Sequence, residues 1–385
     1  NVFGIDDPIL RNLTGIDGAG VIAAGQTGSA EFTLIPSRLA APDAPTDYFV
    51  TGTLGYNENG VGIEVPLARE RVTVQPQAEL ELDYFWQRNV FSDDPFTEGV
   101  VEPSHPFQLA LMVTNSGAGD AQDLSITSGQ PEIIDNEKGL LIEFEIIGSS
   151  VNGETATRSL KVDFGDVAAG DVEVASWLLQ SSLQGRFDNY TVEFTHLNSL
   201  GIEELSLITE ARVHELIRQV KIDVPGHDGL PDFLVNDDGD AFGTPDALYS
   251  STGDVHAVSQ AIGETADGAP SGGDTEVEVS ATMASGWSYA ALLEPSDGNY
   301  RVVEIVRDSD GKVLDASNWW VTDRTFPDEG RPTYEFVLHI LDHNDTAGAQ
   351  TYTVHYEAIN RVPVAGDDMV SVAQEGAVDI AVLAN

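Results

Sequence analysis

Residues 106–117 read Pro-Phe-Gln-Leu-Ala-Leu-Met-Val-Thr-Asn-Ser-Gly. Phe107, Leu109, Leu111 and Val113 fall on alternate positions, so in an extended chain they share one face. The run then stops at an Asn-x-Gly turn signal. The same period of two recurs along the chain. Leu140, Ile142, Phe144 and Ile146 alternate in residues 139–148, and Leu160, Val162 and Phe164 alternate with charge in 159–167. Tyr190, Val192 and Phe194 alternate with Thr and Glu in 189–197. Gly-, Asn- and Asp-rich turns separate these runs. Only residues 213–220, Val-His-Glu-Leu-Ile-Arg-Gln-Val, also fit a helical turn, with Val213, Leu216, Ile217 and Val220 spaced three and four apart. The pattern predicts an all-β fold of tandem β-sandwich domains of immunoglobulin-like or fibronectin III-like size, with an acidic Gly/Asp-rich linker.

An internal repeat organises the first half. Residues 20–37 and 165–182 share Gly20/Gly165, Gly25/Gly170 and an aromatic at one offset, Phe32/Trp177. Gly62-Ile63-Glu64 returns as Gly201-Ile202-Glu203, and Arg71-Val72 as Arg212-Val213. The reading is a tight turn followed by a strand whose aromatic fills the core between two sheets. The expected domains are a partial sandwich at 1–76, its repeat at 77–222, an acidic linker at 223–274, a third sandwich at 275–361 and a short segment at 362–385. In the third sandwich, Asp308-Ser309-Asp310-Gly311 is a hairpin turn.

Charge narrows the function. The 385 residues hold 64 Asp and Glu, 18 Lys and Arg and no Cys, for a net charge of −46. Such a polyanion repels phosphate backbones, which argues against nucleic-acid binding. The absence of Cys removes disulfides, thiolate zinc sites and cysteine nucleophiles. No apolar run reaches the ~18 residues of a membrane-spanning helix. The chain starts at Asn1 rather than Met, as a processed protein or a piece of a longer one would. From Ile222 to Tyr300 there are fifteen Asp and Glu and no Lys or Arg. Those carboxylates repel one another, and Ca²⁺, which takes six to eight oxygen ligands, is the simplest compensation. Screening by a saline medium is the alternative.

The densest stretch is residues 223–246, with seven Asp punctuated by Gly226, Gly229, Gly239 and Gly243. Asp228, Asp232, Asn236, Asp237, Asp238, Asp240 and Asp246 are the candidate metal ligands, because Asp in Gly-turned loops can bring several oxygens onto one cation. A solvated acidic linker is the bland reading of the same residues. Asp93-Asp94 and Asp342-His343-Asn344-Asp345 are weaker candidates, of the sort found in ordinary turns.

Enzyme signatures are weak. His214-Glu215 opens a zincin-like string, but Arg218 stands where the second His is needed. Glu143 and Glu145 sit ~7 Å apart on one strand face, which reads as an exposed face more than a glycosidase pair. Trp287, Tyr289, Tyr300, Trp319 and Trp320 gather in the third sandwich. Glycan stacking is one reading of them and core packing the other. Adjacent Trp319 and Trp320 point to opposite faces of a strand.

Three resemblances sharpen this reading. Asn360, Pro363, Val364, Ala365, Asp367, Asp368, Glu375, Val382, Leu383 and Asn385 resemble the opening of the tandem cadherin-like repeats of giant bacterial surface adhesins. The resemblance implies Ca²⁺ at a domain junction, held by Asp367 and Asp368. Leu109–Ile126 with the downstream Val167–Trp177 more loosely resembles bacterial adhesion-type sandwich repeats. Asp228-Gly229-Leu230-Pro231-Asp232 resembles the Asp-Gly-x-Pro-Asp step of thrombospondin type 3 calcium repeats, although His227 stands near where that family has Asp. The expectation is a non-enzymatic, extracellular bacterial surface or matrix module stiffened by Ca²⁺, with a carbohydrate-binding accessory module as the alternative. Residues 363–385 are further expected to add a strand to a neighbouring subunit, giving a fibre. No membrane insertion is expected.

Overall fold

The structure is a computed structural model and describes residues 2–94, 96, 97, 99, 101–127, 143–186, 207–239, 243–273, 275–326 and 333–359. The chain is all β apart from one short 3-10 turn at Arg38–Ala40 among the described residues. It forms two compact units. The first is mainly Asn1–Gln260, and the second begins at Ala261. The expectations at 189–197, at Gly201–Glu203 and at 360–385 lie outside the described residues, as do Leu140 and Ile142.

In the first unit, residues 80–260 build one long sheet. In spatial order its strands are Glu154–Thr155, Phe144–Val151, Val172–Ser181, Phe107–Asn115, Leu80–Trp86, Ile208–Val220, Asp232–Asn236, Ala247–Tyr249 and Val255–Gln260. The Phe107–Asn115 strand pairs antiparallel on both sides, with Leu111 opposite Ala175 and Tyr84. Its alternation places Phe107, Leu109, Leu111 and Val113 in a core with Leu80, Leu82, Tyr84, Trp86 and Trp177. A separate pair, Ala121–Thr127 with Lys161–Val167, closes that core from the other side through Leu124, Ile126, Val162 and Phe164. Residues 213–220, open to either reading, lie inside the 13-residue strand Ile208–Val220. That strand runs parallel to Leu80–Trp86 and antiparallel to Asp232–Asn236. Leu216 and Val220 lie on the buried face of that strand, whereas Val213, on the other face, is 44% exposed, so the helix-like spacing of these apolar residues does not track burial.

The opposite face of the sheet is buried too. Phe85, Ala110, Met112, Val174, Leu216, Phe233 and Val235 form a second core there. The Phe85 and Tyr249 rings lie 5.3 Å apart although their strands are separated by two others. Three strand spacings are ~14 Å in a flat sheet, so the sheet curls around this core.

The acidic stretch 223–274 therefore differs from the expected linker. It carries the Asp232–Asn236, Ala247–Tyr249, Val255–Gln260 and Ile262–Asp267 strands. All five residues of Asp232–Asn236 are buried. The compact units divide at 260/261 rather than at 222/223 or 274/275. Phe233, Leu234 and Val235 supply enough apolar area to offset the acidity around them.

Residues 1–76 also depart from expectation. They form four two-stranded ribbons, including Thr46–Val50 with Glu70–Val74 and Thr53–Glu58 with Val61–Pro66. Phe32 is not in a strand and is 51% exposed, while its counterpart Trp177 is 1% exposed and donates from Nε1 to the Ser159 carbonyl at 2.7 Å.

The second unit has two layers. Gly286–Leu293, Val337–Asn344 and Trp319–Thr322 form one. Ile262–Asp267, Glu276–Met283, Gly348–Ala358, Tyr300–Arg307 and Lys312–Val313 form the other. Val277, Val279, Ile305, Leu338, Ile340 and Val354 pack between them. The hairpin expected at Asp308–Gly311 is present, with Arg307 paired to Lys312 and Gly311 at φ +74°.

Candidate functional site

Two polar clusters flank the buried strand Asp232–Asn236. At its N-terminal end, Asp232 has no exposed surface. Its Oδ2 accepts from the Ile222 amide at 2.5 Å and its Oδ1 from the Ser251 amide at 2.8 Å. Burial pushes its carboxyl up, and these donors with nearby His227 act against that. Ser251 Oγ donates to Asp228 at 2.9 Å, and Asp228 also accepts from the Leu230 amide. His227 joins the two halves, with Nε2 3.0 Å from Ser250 Oγ and Nδ1 3.2 Å from Asp228 Oδ1.

Ser250, His227 and Asp228 thus stand in the order of a hydrolase triad. The serine, however, is wholly buried, and its Oγ accepts from the Thr252 amide and meets Thr252 Oγ1 at 2.7 Å. A nucleophile needs an open side for the substrate. Here the constellation buckles the 222–232 loop to the turn at 250–253.

At the other end of the strand lies a larger network. His214 is buried between two carboxylates, with Nε2 2.9 Å from Asp83 Oδ1 and Nδ1 2.8 Å from Asp237 Oδ1. Its ring stacks on Phe85 at 5.1 Å and leans on Tyr249 at 4.5 Å. Tyr249 donates its hydroxyl to Asp237 Oδ2 at 2.8 Å. Arg212 binds Asp83 through Nε and Nη2 at 2.7 and 3.0 Å, and also reaches Glu81 and Glu210. Burial alone would lower the pKa of His214, but Asp237 and Asp83 outweigh it and hold the imidazolium up to about 9. Burial likewise works to raise Asp83 and Asp237, but His214 and Arg212 pull Asp83, and His214 and Tyr249 pull Asp237, below the ordinary carboxylate range. Charge-assisted hydrogen bonds of this kind are among the strongest a protein makes.

The remaining candidate ligands are also engaged. Asp246 accepts the Asp237 and Asp238 amides, one on each carboxylate oxygen, at 2.9 and 2.6 Å. Asn236 donates to Glu215 at 3.0 Å. Asp240, Asp367 and Asp368 lie outside the described residues. Asp232 and Asn236 mark the ends of a five-residue strand, ~13 Å apart. Asp228 and Asp232 therefore cannot share one ion with Asp237, Asp238 and Asp246. The carboxylates of Asp228, Asp232, Asp237 and Asp246 already accept from N–H and O–H donors. Among the described residues, no group of three or more His, Cys, Asp or Glu is arranged to hold a metal ion.

Of the aromatics expected at a glycan platform, Trp287, Tyr289 and Trp320 are buried and Tyr300 and Trp319 half-buried. Trp319 packs toward the core, and Trp320, on the opposite face, stacks 4.8 Å from His339 and is 8% exposed. The outward Trp expected for a sugar platform is not present at this strand. No helix among the described residues is long and apolar enough to cross a membrane.

Asp83, Arg212 and Tyr249 were not legible as site residues. Asp83 occupies an alternating position that reads as solvent-facing, and the curl of the sheet buries it. Asn115 offers a contrast. Its strand-ending position before Ser-Gly is a visible signal, and it is a fully buried corner clamp. Its Nδ2 donates to the Gly119, Val167 and Ala168 carbonyls, and its Oδ1 accepts from the Glu79 and Gly117 amides. Gly117 is required there, since a Cβ would lie 2.4 Å from the Glu79 nitrogen. Comparison of the chain with models of protein families, with characterised proteins and with solved structures finds no match in any of the three.

Proposed function

We propose that this chain is a non-enzymatic structural module of a secreted bacterial surface or extracellular matrix protein built from tandem β-sandwich domains. The observation that carries this reading is the use made of its polar groups. Asp83, His214 and Asp237 tie three strands of one sheet together. Ser250, His227 and Asp228, the nearest approach to a catalytic triad, are spent on holding a loop. Groups used in this way resist strand separation, which is what a spacer or fibre element needs.

Ca²⁺ belongs to this proposal as a counter-ion of exposed carboxylates rather than as an ion caged by Asp228–Asp246. Divalent binding to the folded state alone stabilises it by RT ln(1 + [L]/Kd). Melting in millimolar CaCl₂ is therefore expected to exceed melting in NaCl of equal ionic strength, and chelator reverses the difference. Equal melting temperatures would reduce the effect to screening. For the module itself, a panel of glycoside, ester and peptide substrates is expected to give no turnover. Turnover that disappears in Ser250→Ala would overturn the structural reading.

A further inference from the structure

The chain contains two Asn-Gly dipeptides, Asn59-Gly60 and Asn152-Gly153. Both form the turn of a β-hairpin, and both place the pair in the left-handed region that a two-residue hairpin loop needs. Asn59 and Gly60 have φ +53° and +80°, and Asn152 and Gly153 have φ +50° and +77°. The dipeptides are thus alike in sequence and in backbone. Their side chains are not alike. The Asn152 amide is held at both ends, with Nδ2 donating to Glu173 Oε2 and Oδ1 accepting from the Val174 amide at 3.0 Å. Its own backbone N–H donates to the Val174 carbonyl at 2.7 Å. Asn59 is exposed, and among the described residues its side chain makes no hydrogen bond.

We propose that Asn59 is a site of spontaneous, age-dependent modification, from which Asn152 is protected by its side-chain anchors. The amide nitrogen of Gly60 bonds to Cγ of Asn59. The Cγ–Nδ2 bond breaks, and ammonia leaves with the proton lost from the Gly60 nitrogen. Water then opens the five-membered imide at either carbonyl, giving aspartate or isoaspartate. The reaction requires the Asn side chain to swing onto the following amide, which Asn59 is free to do and Asn152 is not. The aspartate product suits the same turn, since Asp-Gly also favours it. The isoaspartate product adds a methylene to the backbone. Loop length sets hairpin register, so that product loosens the Thr53–Glu58 and Val61–Pro66 pairing.

The test is peptide mapping by mass spectrometry of the intact chain held folded at mildly alkaline pH. The Asn59 peptide is expected to gain the amide-to-acid mass difference and to split into two isomeric peaks, while the Asn152 peptide stays unchanged. In urea both peptides should convert, at rates far closer to each other than in the folded chain, because the protection of Asn152 comes from the fold. Glu173→Ala, which removes one anchor, should speed conversion at Asn152 and leave Asn59 unaffected. Equal conversion of both sites in the folded protein overturns the proposal. So does an Asn152 that stays inert in the Glu173→Ala variant while its peptide converts in urea.

Discussion

Each unit has a buried carboxylate set among cations, but the two sets of cations differ. In the first unit Asp83 meets Arg212 and His214. In the second, Asp342 is 1% exposed, accepts from Arg307 at 2.9 Å and from the Tyr352 hydroxyl at 3.0 Å, and lies 3.4 Å from Lys312. Both solve one problem, since an ionised carboxylate out of water must be paired and hydrogen-bonded. Asp310 and Asp342 hold Arg307 above the ordinary guanidinium range, whereas the histidine of the first unit is the type of side chain whose charge is lost at alkaline pH. The two clusters are therefore equivalent at neutral pH and distinguishable above it.

The strongest way to break this equivalence is to remove the second unit's carboxylate. Asp342→Ala removes the buried acceptor shared by Arg307, Lys312 and the Tyr352 hydroxyl, while Arg307 keeps Asp310 and the His343 carbonyl. The expected loss is about 3–5 kcal/mol. Hydrogen exchange of the Val337–Asn344 strand reads it directly, and unchanged protection there would remove the comparison altogether.

Alkaline pH comes next and separates the units. The folded pKa of His214, about 9, lies above its ordinary value of 6.5. Its contribution is therefore fully present below pH 6.5 and is lost as pH rises through 9. The rise corresponds to about 3 kcal/mol. Exchange protection of the Ile208–Val220 strand, measured relative to the base-catalysed intrinsic rate, should fall over that window while that of Val337–Asn344 does not. A His214→Gln variant should flatten the profile. A parallel loss of protection in both strands would show that the two clusters do not differ in the way described.

Asp83→Ala should cost less than Asp342→Ala, about 2 kcal/mol, the range for hydrogen bonds to charged groups. Arg212 retains Glu81 and Glu210, and His214 retains Asp237. Denaturant melts of the two variants side by side give the ranking. The smallest effect is expected at Asp310. Its hydrogen bond to Arg307 holds its pKa down to about 2, yet the side chain is 52% exposed. Solvent screening leaves Asp310→Ala within about 0.5 kcal/mol of the parent in the same melts.

The internal repeat shows how far such a fold is legible in advance. Both copies make the same turn. The Gln26 amide donates to the Ala23 carbonyl at 3.0 Å, and the Asp171 amide donates to the Ala168 carbonyl at 3.1 Å. Gly25 and Gly170 take φ +79° and +85°. The repeated residues therefore predicted a shared local structure correctly. They did not predict that Trp177 would be covered and Phe32 exposed. The strand of Trp177 has Phe107–Asn115 on one side and Phe144–Val151 on the other, while the described residues around Phe32 form only two-stranded ribbons. The acidic segment teaches the same point. Asp-rich composition read as a linker, and the four apolar positions Phe233, Leu234, Val235 and Leu248 brought it into the sheet.

What the amino-acid order determined by itself is the extended conformation, the alternation of faces and the positions of the turns. These follow from φ/ψ preferences and side-chain spacing within a few residues. What only the tertiary structure decided is which of the 64 acids are paired and which aromatics are covered. Asp83 and His214 are 131 residues apart in sequence and 2.9 Å apart in space. Burial and electrostatic pairing depend on which distant strand arrives alongside, and no local pattern encodes that arrival.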